Sequence, residues 1–219
     1  MITLDDIKKN PKVQLLINKT DQLLEVIGYT EHGQRHASLT ANIAYNIMTR
    51  LGRPEKDSQL AAVAAYLHDI GNVVNRKYHA QTGAVIAYQT LSEMNVPEDD
   101  ILEIVSAIGN HDEMDGQPIS DICAAAILAD KSDVHRSRVR TLDMIGQDIH
   151  DRVNYAAKSS FLRVDPEKKI ISLEITIDTS ISQVMEYFKI FLSRMVICRK
   201  AAEFLKMKFE LEINGNRLL

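Results

Sequence analysis

Up to about residue 158 the apolar positions of this chain recur at spacings of three and four, the period of helices with one face turned inward. Thr3 precedes an acidic first turn, and Val13, Leu16, Leu23 and Val26 predict one or two helices that stop at Gly28, with Pro11 as a break. Leu39, Ile43, Ala44, Ile47 and Leu51 predict a helix over 35–51 that ends at Gly52 and Pro54 and carries His36 on its inward face. An alanine-rich helix over about 56–69 ends at Gly71, which puts His68 and Asp69 at its C-terminal end. The next runs from about His79 to Met94. Pro97 and the three acids after it mark a helix start, with the end near Gly109 and His111 just beyond. Ser120 is the expected N-cap of a helix through Ala124, Ile127 and Leu128 that carries Asp130.

After about residue 158 the period changes. Ile171, Leu173, Ile175 and Ile177 alternate with polar residues as in a half-buried strand, and FLRV before the turn DPEKK supplies a hairpin partner. Thr179 or Ser180 is then expected to cap a long amphipathic helix through Val184, Phe188, Phe191, Leu192, Met195 and Leu205, and KFELEI alternates again. The expected fold is mainly α. A helical domain over 1–158 carries the candidate chemistry, and a small α+β unit over 159–219, antiparallel strands plus a long helix, docks on it.

At 219 residues with 45% hydrophobic content, one main domain with a sizeable core is the default. The 26 basic and 30 acidic side chains are spread along the chain for a net charge of -4, so no basic field advertises a nucleic-acid polymer or an anionic membrane. With neither a signal-peptide pattern nor a run of 18 apolar residues, the expectation is a soluble, cytoplasmic protein. Cys123 and Cys198 stand far apart in apolar surroundings, which suits core packing in a reducing compartment.

Five of the seven histidines fall between positions 32 and 111, most of them at helix ends or on inward faces. Adjacent His68 and Asp69 at a frayed helix end can diverge to serve one metal or bridge two, which mid-helix neighbours cannot easily do. Imidazole nitrogen with carboxylate oxygen suits Mn, Fe, Co, Ni or Zn. Asp130, an acid within AAAILADKSD, needs a partner if buried, and a metal is a ready one. Taken alone, His36 suits a hydrogen-bonded core residue and His79 a solvated helix start. His32, His135 and His150, in polar contexts, are expected at the surface, with Asp112, Glu113 and Asp115 on a solvated loop. Asp112 could alternatively orient a ligand histidine.

His36, then the HD pair at 68 and 69 within YLHDIGN, then Asp130 in a helical chain resemble the HD-domain superfamily of metal-dependent phosphohydrolases. HAQTGA at 79–84 and GNHDEMDG at 109–116 resemble the extra histidine motifs of its dinuclear branch, which includes the HD-GYP proteins, and the likeness spans roughly residues 30 to 140. It implies that His36, His68, Asp69 and Asp130 hold one divalent ion and that Asp69 bridges to a second held by His79 and His111. Asn72 stands where the HD-GYP branch commonly has Lys, and DGQPIS lacks the GYP triplet, which weighs against cyclic dinucleotide hydrolysis.

Two divalent ions carry +4 and the two carboxylates return only -2, so such a site stays positive and attracts phosphate. Metal binding lowers the pKa of water from 15.7 towards roughly 7 to 9, supplying hydroxide at neutral pH. The expected activity is hydrolysis of a phosphate monoester or diester, of a nucleotide or small metabolite rather than a polymer, with one or two divalent ions as cofactor. Beside Asp69, the expected catalytic groups are Lys131 and Arg35, neighbours of Asp130 and His36, which would neutralise developing phosphoryl charge. A di-iron oxygenase and a non-catalytic nucleotide-binding module remain as alternatives, and a homodimer stays open.

Overall fold

The computed structural model describes residues 1–141 and 149–218. Its helices follow the predicted periods closely. Thr3 and Asp6 close a capping box on α1 (Leu4–Lys9), and Asn10 ends that helix while capping α2 (Pro11–Val26), where Pro11 takes the first position. Helices α3 (Gln34–Arg50), α4 (Glu55–Leu67), α5 (His79–Glu93), α6 (Glu98–Gly109) and α7 (Asp121–Ser132) complete the helical bundle. A 3-10 turn over Ile70–Val73 joins α4 to α5. The Ser120 hydroxyl caps α7 by accepting from the Cys123 N–H.

Two alanine-rich helices form the centre. Every residue of α4 from Leu60 to Leu67 is buried, and so is every residue of α7 from Ile122 to Ala129, so both are apolar all round and neighbours surround them. The amphipathic helices pack outside. On α3 the inward stripe is His36, Ala37, Thr40, Ala41, Ala44, Ile47 and Met48, while Leu39, expected inside, is 38% exposed.

The second part of the chain comprises α8 (Ile149–Ala156), β1 (Ala157–Asp165), β2 (Ile170–Ile177), α9 (Val184–Phe204), β3 (Lys208–Ile213) and β4 (Asn216–Arg217). The strands lie in the order β1-β2-β3-β4, with β1 and β2 the expected antiparallel hairpin. The β2–β3 pair departs from an all-antiparallel expectation: it is parallel, Ile171 beside Phe209 and Leu173 beside Leu211, because α9 carries the chain back as a crossover. The α9 cap also differs from the expectation. Thr179 and Ser180 lie in the turn before it, and Gln183 closes a capping box with Glu186 instead. One residue of the expected α9 stripe, Leu192, is 58% exposed, and Tyr187, Ile197, Cys198 and Ala201 take the inward positions.

Helix α9 packs on α7, and the buried apolar residues of both parts form one continuous cluster. A boundary at 158/159 falls inside β1. Both cysteines are free and buried. Among the described residues, no helix is long and apolar enough to cross a membrane.

Candidate metal centre

The centre gathers where five helix ends meet. His36 lies in the first turn of α3, His68 caps the C-terminal end of α4, Asp69 begins the 3-10 turn, His79 opens α5, His111 follows α6, and Asp130 lies in the last turn of α7. Helix ends suit this task because their backbone departs from the helical path, so neighbouring side chains can diverge. Tyr78 makes the turn into α5 with a left-handed φ of 62°. Gly71 lets the 3-10 turn lie directly on that first turn: a Cβ there would sit 2.0 Å from the His79 carbonyl oxygen and 2.4 Å from the Gly83 nitrogen.

In the four clustered histidines, Nδ1 faces an oxygen: Asp133 Oδ2 at 2.7 Å for His36, the Ala65 carbonyl at 2.7 Å for His68, the Arg76 carbonyl at 3.0 Å for His79 and the Ile108 carbonyl at 2.7 Å for His111. Only an N–H on Nδ1 satisfies those acceptors, so in the neutral rings Nε2 carries the lone pair. The Nε2 atoms then converge. His36 and His68 bring theirs to 3.3 Å, and His79 and His111 to 3.1 Å. Lone pairs held face to face at such distances repel unless a positive charge lies between them.

The carboxylates complete the set. Asp130 Oδ1 lies 3.5 Å from Nε2 of both His36 and His68. Asp69 Oδ2 is 3.1 Å from His68 Nε2 and 3.7 Å from His36 Nε2, and Oδ1 is 3.5 Å from His79 Nε2, so one carboxylate faces both imidazole pairs. Oδ2 is buried without a hydrogen-bond partner among the described residues, which is costly for a carboxylate oxygen unless a cation meets it. His36, His68 and Asp130 form one group able to hold a divalent ion, and His68, Asp69 and His111 another.

The electrostatics express the same demand. Burial disfavours charge on His68, yet Asp69 and Asp130 outweigh it and raise that imidazole to about 10. Against their own burial, Asp69, chiefly through His68, and Asp130, chiefly through Lys131, are held well below the usual carboxylate range. Burial pushes His79 down and His111 well down, which keeps both neutral and fit to donate a lone pair.

Three groups stand where the sequence did not put them. Arg35 donates Nε to Glu31 and both terminal nitrogens to Asp133, at 2.9, 3.2 and 2.8 Å, so its charge supports the carboxylate behind His36 rather than a reacting phosphate. His32 is buried at 8% exposure, its ring 5.5 Å from that of His36. Glu113 is half-buried and binds Lys131 Nζ at 2.5 Å, and burial's upward push on it yields to Lys131 and Arg194, which bring it to about 2. Lys131 is itself buried beside the cluster, its Nζ 2.6 Å from Asp130 Oδ2. His135 is half-buried between Ser137 and the Lys158 carbonyl, while His150 is exposed.

Sequence reasoning missed Asp133 altogether. Its spacing of three from Asp130, in DKSD, was the available signal, but only the fold shows that it meets His36. Asn72 gains a role too: it donates Nδ2 to Asp69 Oδ1 at 2.8 Å, a neutral clamp on the shared carboxylate. Asp112 Oδ2 lies 3.5 Å from His79 Nδ1, near enough to orient that ring.

Residues 34–135 match the HD-domain family model, a span that contains all six clustered side chains. An uncharacterised protein of Methanocaldococcus jannaschii is 33% identical over 34% of this chain and 35% of its own length, so the chain spans about a third of that curated relative. Among solved structures, a predicted HD superfamily hydrolase from an uncultured Thermotogales bacterium aligns with a TM-score of 0.45 at 23% identity, over 61% of this chain and 75% of the other. Over residues 34–135, the span that carries the converging histidines and aspartates, the chain is similar to the HD domain.

Proposed function

We propose that the chain is a metal-dependent phosphohydrolase acting on a phosphate monoester or diester of a small metabolite or nucleotide. One observation carries the reading: four imidazoles with Nδ1 committed elsewhere turn their Nε2 atoms onto one another beside two carboxylates, one of them with a buried oxygen that makes no hydrogen bond among the described residues. In this proposal His36, His68, Asp69 and Asp130 hold one divalent ion, and Asp69, His79 and His111 hold a second. Such ions supply Lewis acidity towards phosphoryl oxygen and a water acidic enough to attack phosphorus near neutral pH.

The chain's own residues do the rest. Asp133 holds the His36 ring in the tautomer that offers Nε2, and Asn72 aligns Asp69. Lys131, clamped between Asp130 and Glu113, brings a fixed positive charge to the edge of the cluster, where it can offset negative charge that develops on a phosphoryl group.

Elemental analysis of the purified protein beside Asp69→Ala, with both assayed on a phosphoester panel supplemented with Mn, Fe, Co or Ni, tests this. The expected result is close to two transition ions per chain and turnover of at least one ester, with both lost in the variant. A single ion would remove His79 and His111 from the ligand set. Iron with an oxygen-dependent spectrum and no ester hydrolysis would point to an oxygenase instead, and no bound metal under any condition would end the proposal.

A further inference from the structure

Beside the imidazole cluster lies a cavity of about 450 Å³ whose wall is shared between the helical bundle and the C-terminal part. The bundle contributes Tyr29 and Arg76, α8 contributes Asn154, and α9 contributes Phe191 and Arg194. The volume falls within the range of small-molecule sites, roughly 300 to 1,000 Å³. The cavity adjoins the cluster at two points. Arg76 Nη1 is 3.7 Å from Asp69 Oδ1, and Glu113, which holds Lys131, lies in its wall. A phosphate at the cluster would therefore have the rest of its molecule here.

The three arginines of this wall are not equivalent. Arg138 donates Nε and both terminal nitrogens to the backbone carbonyls of Glu31 and Asp133, and so ties the loops together. Arg76 donates Nη1 to Asn72 Oδ1 at 3.2 Å and lies over the Tyr29 ring at 5.5 Å. Arg194 donates Nε to Glu113 at 3.4 Å and lies over the Phe191 ring at 4.5 Å. A guanidinium carries five N–H donors in a rigid fork, so Arg76 and Arg194 are held in place by one edge and retain donors for a ligand. Asn154 also lines the wall. Only 5% exposed, it donates Nδ2 to the His150 carbonyl at 2.9 Å, while its Oδ1 is buried without a partner among the described residues.

We infer that this cavity is a specificity subsite in which Arg76 and Arg194 grip a second anionic group of the substrate. The inference rests on the phosphohydrolase reading and narrows it to small phosphoesters that carry a second phosphate or a carboxylate. It also gives the C-terminal part a function, since α9 supplies Arg194.

Calorimetric titration of the metal-loaded protein reads this subsite, because the cluster then holds one phosphate of every probe. The probes are fructose 1,6-bisphosphate, 3-phosphoglycerate and glucose 6-phosphate, which carry respectively a second phosphate, a carboxylate and no second anion. Wild type is expected to bind at least one of the first two about tenfold or more tighter than the third, the size of one charge-assisted hydrogen-bonded pair. Which of the two gains the advantage identifies the second group as phosphate or carboxylate. Arg194→Met should abolish the advantage and Arg194→Lys should keep part of it, with folding checked by circular dichroism. Should Arg194→Met not fold, Arg76→Met reads the same loss from the helical bundle. Equal binding of all three probes, or an advantage that survives both Met substitutions, overturns the subsite. An intact advantage in a metal-loaded protein that hydrolyses no ester leaves the subsite standing and fails the phosphohydrolase reading. Hydrolysis without any preference for a second anion does the reverse.

Discussion

An imidazole offers two nitrogens, and what one of them touches decides whether the other can take a cation. His36 shows the effect most directly, because Asp133 accepts from its Nδ1 at 2.7 Å and is itself held by Arg35 and Arg138. Against its burial, the nearby Arg138, His36 and Arg35 keep Asp133 far below the usual carboxylate range, so it stays ionised at any working pH. Asp133→Asn preserves the shape and removes the charge. Metal affinity should fall about 10- to 100-fold, the usual loss when a partner behind a ligand histidine is changed. Competition with a chromophoric chelator measures it, and an unchanged affinity would mean that His36 does not bind metal through Nε2.

At the scale of the element, caps and crossovers decide the C-terminal part. The start of α9 depends on Glu186, which accepts from Arg152 Nη2 at 2.6 Å and from Ser182 Oγ at 2.8 Å while closing the box with Gln183. Those bonds, Arg152 first, lower its pKa from 4.5 to about 2. A lowered carboxylate contributes stability that is complete above its unfolded pKa and is lost as pH falls through the folded one. Thermal unfolding of Glu186→Gln against wild type should therefore show a constant gap in Tm from neutral pH down to about 4.5, narrowing below that and closing near 2. A gap that is flat throughout this window would show that the charge of Glu186 is not what anchors α9. The parallel β2–β3 pair has an equally local cause, since a helix of 21 residues between two strands returns the chain to the same edge.

For the molecule as a whole, the cluster is a concentration of unmet demand: converging lone pairs, an unpartnered Asp69 oxygen and buried acids. A cation that binds only the folded chain adds stability by mass action, about 4 kcal/mol at a thousandfold excess over its Kd. For a chain of this size that is roughly 10 °C in Tm, at about 2 to 4 °C per kcal/mol. Removing metal with a chelator should lower Tm by that order and added Mn or Co should restore it, while Asp69→Ala should show no response to either. A wild-type Tm indifferent to both treatments would remove the cation from the folded state.

The sequence by itself determined every long helix but not α8, and it determined the hairpin and the six residues of the cluster. Each of these signals is local: apolar spacing, an acid after a proline, a His-Asp pair before a glycine, or short motifs that resemble those of a family. It also placed His68 and Asp69 at a helix end, where the structure has them. Only the tertiary structure decided what stands behind the ligands and beside them. Asp133 is 97 positions from His36 and Arg194 is 81 from Glu113, and no periodicity reports contacts across such separations. His32, Glu113 and Arg35 were misplaced for the same reason: their neighbours in sequence are polar, and their surroundings come from other helices. Burial and ion pairing belong to the packed whole, and a single chain read from end to end carries only the local half of that information.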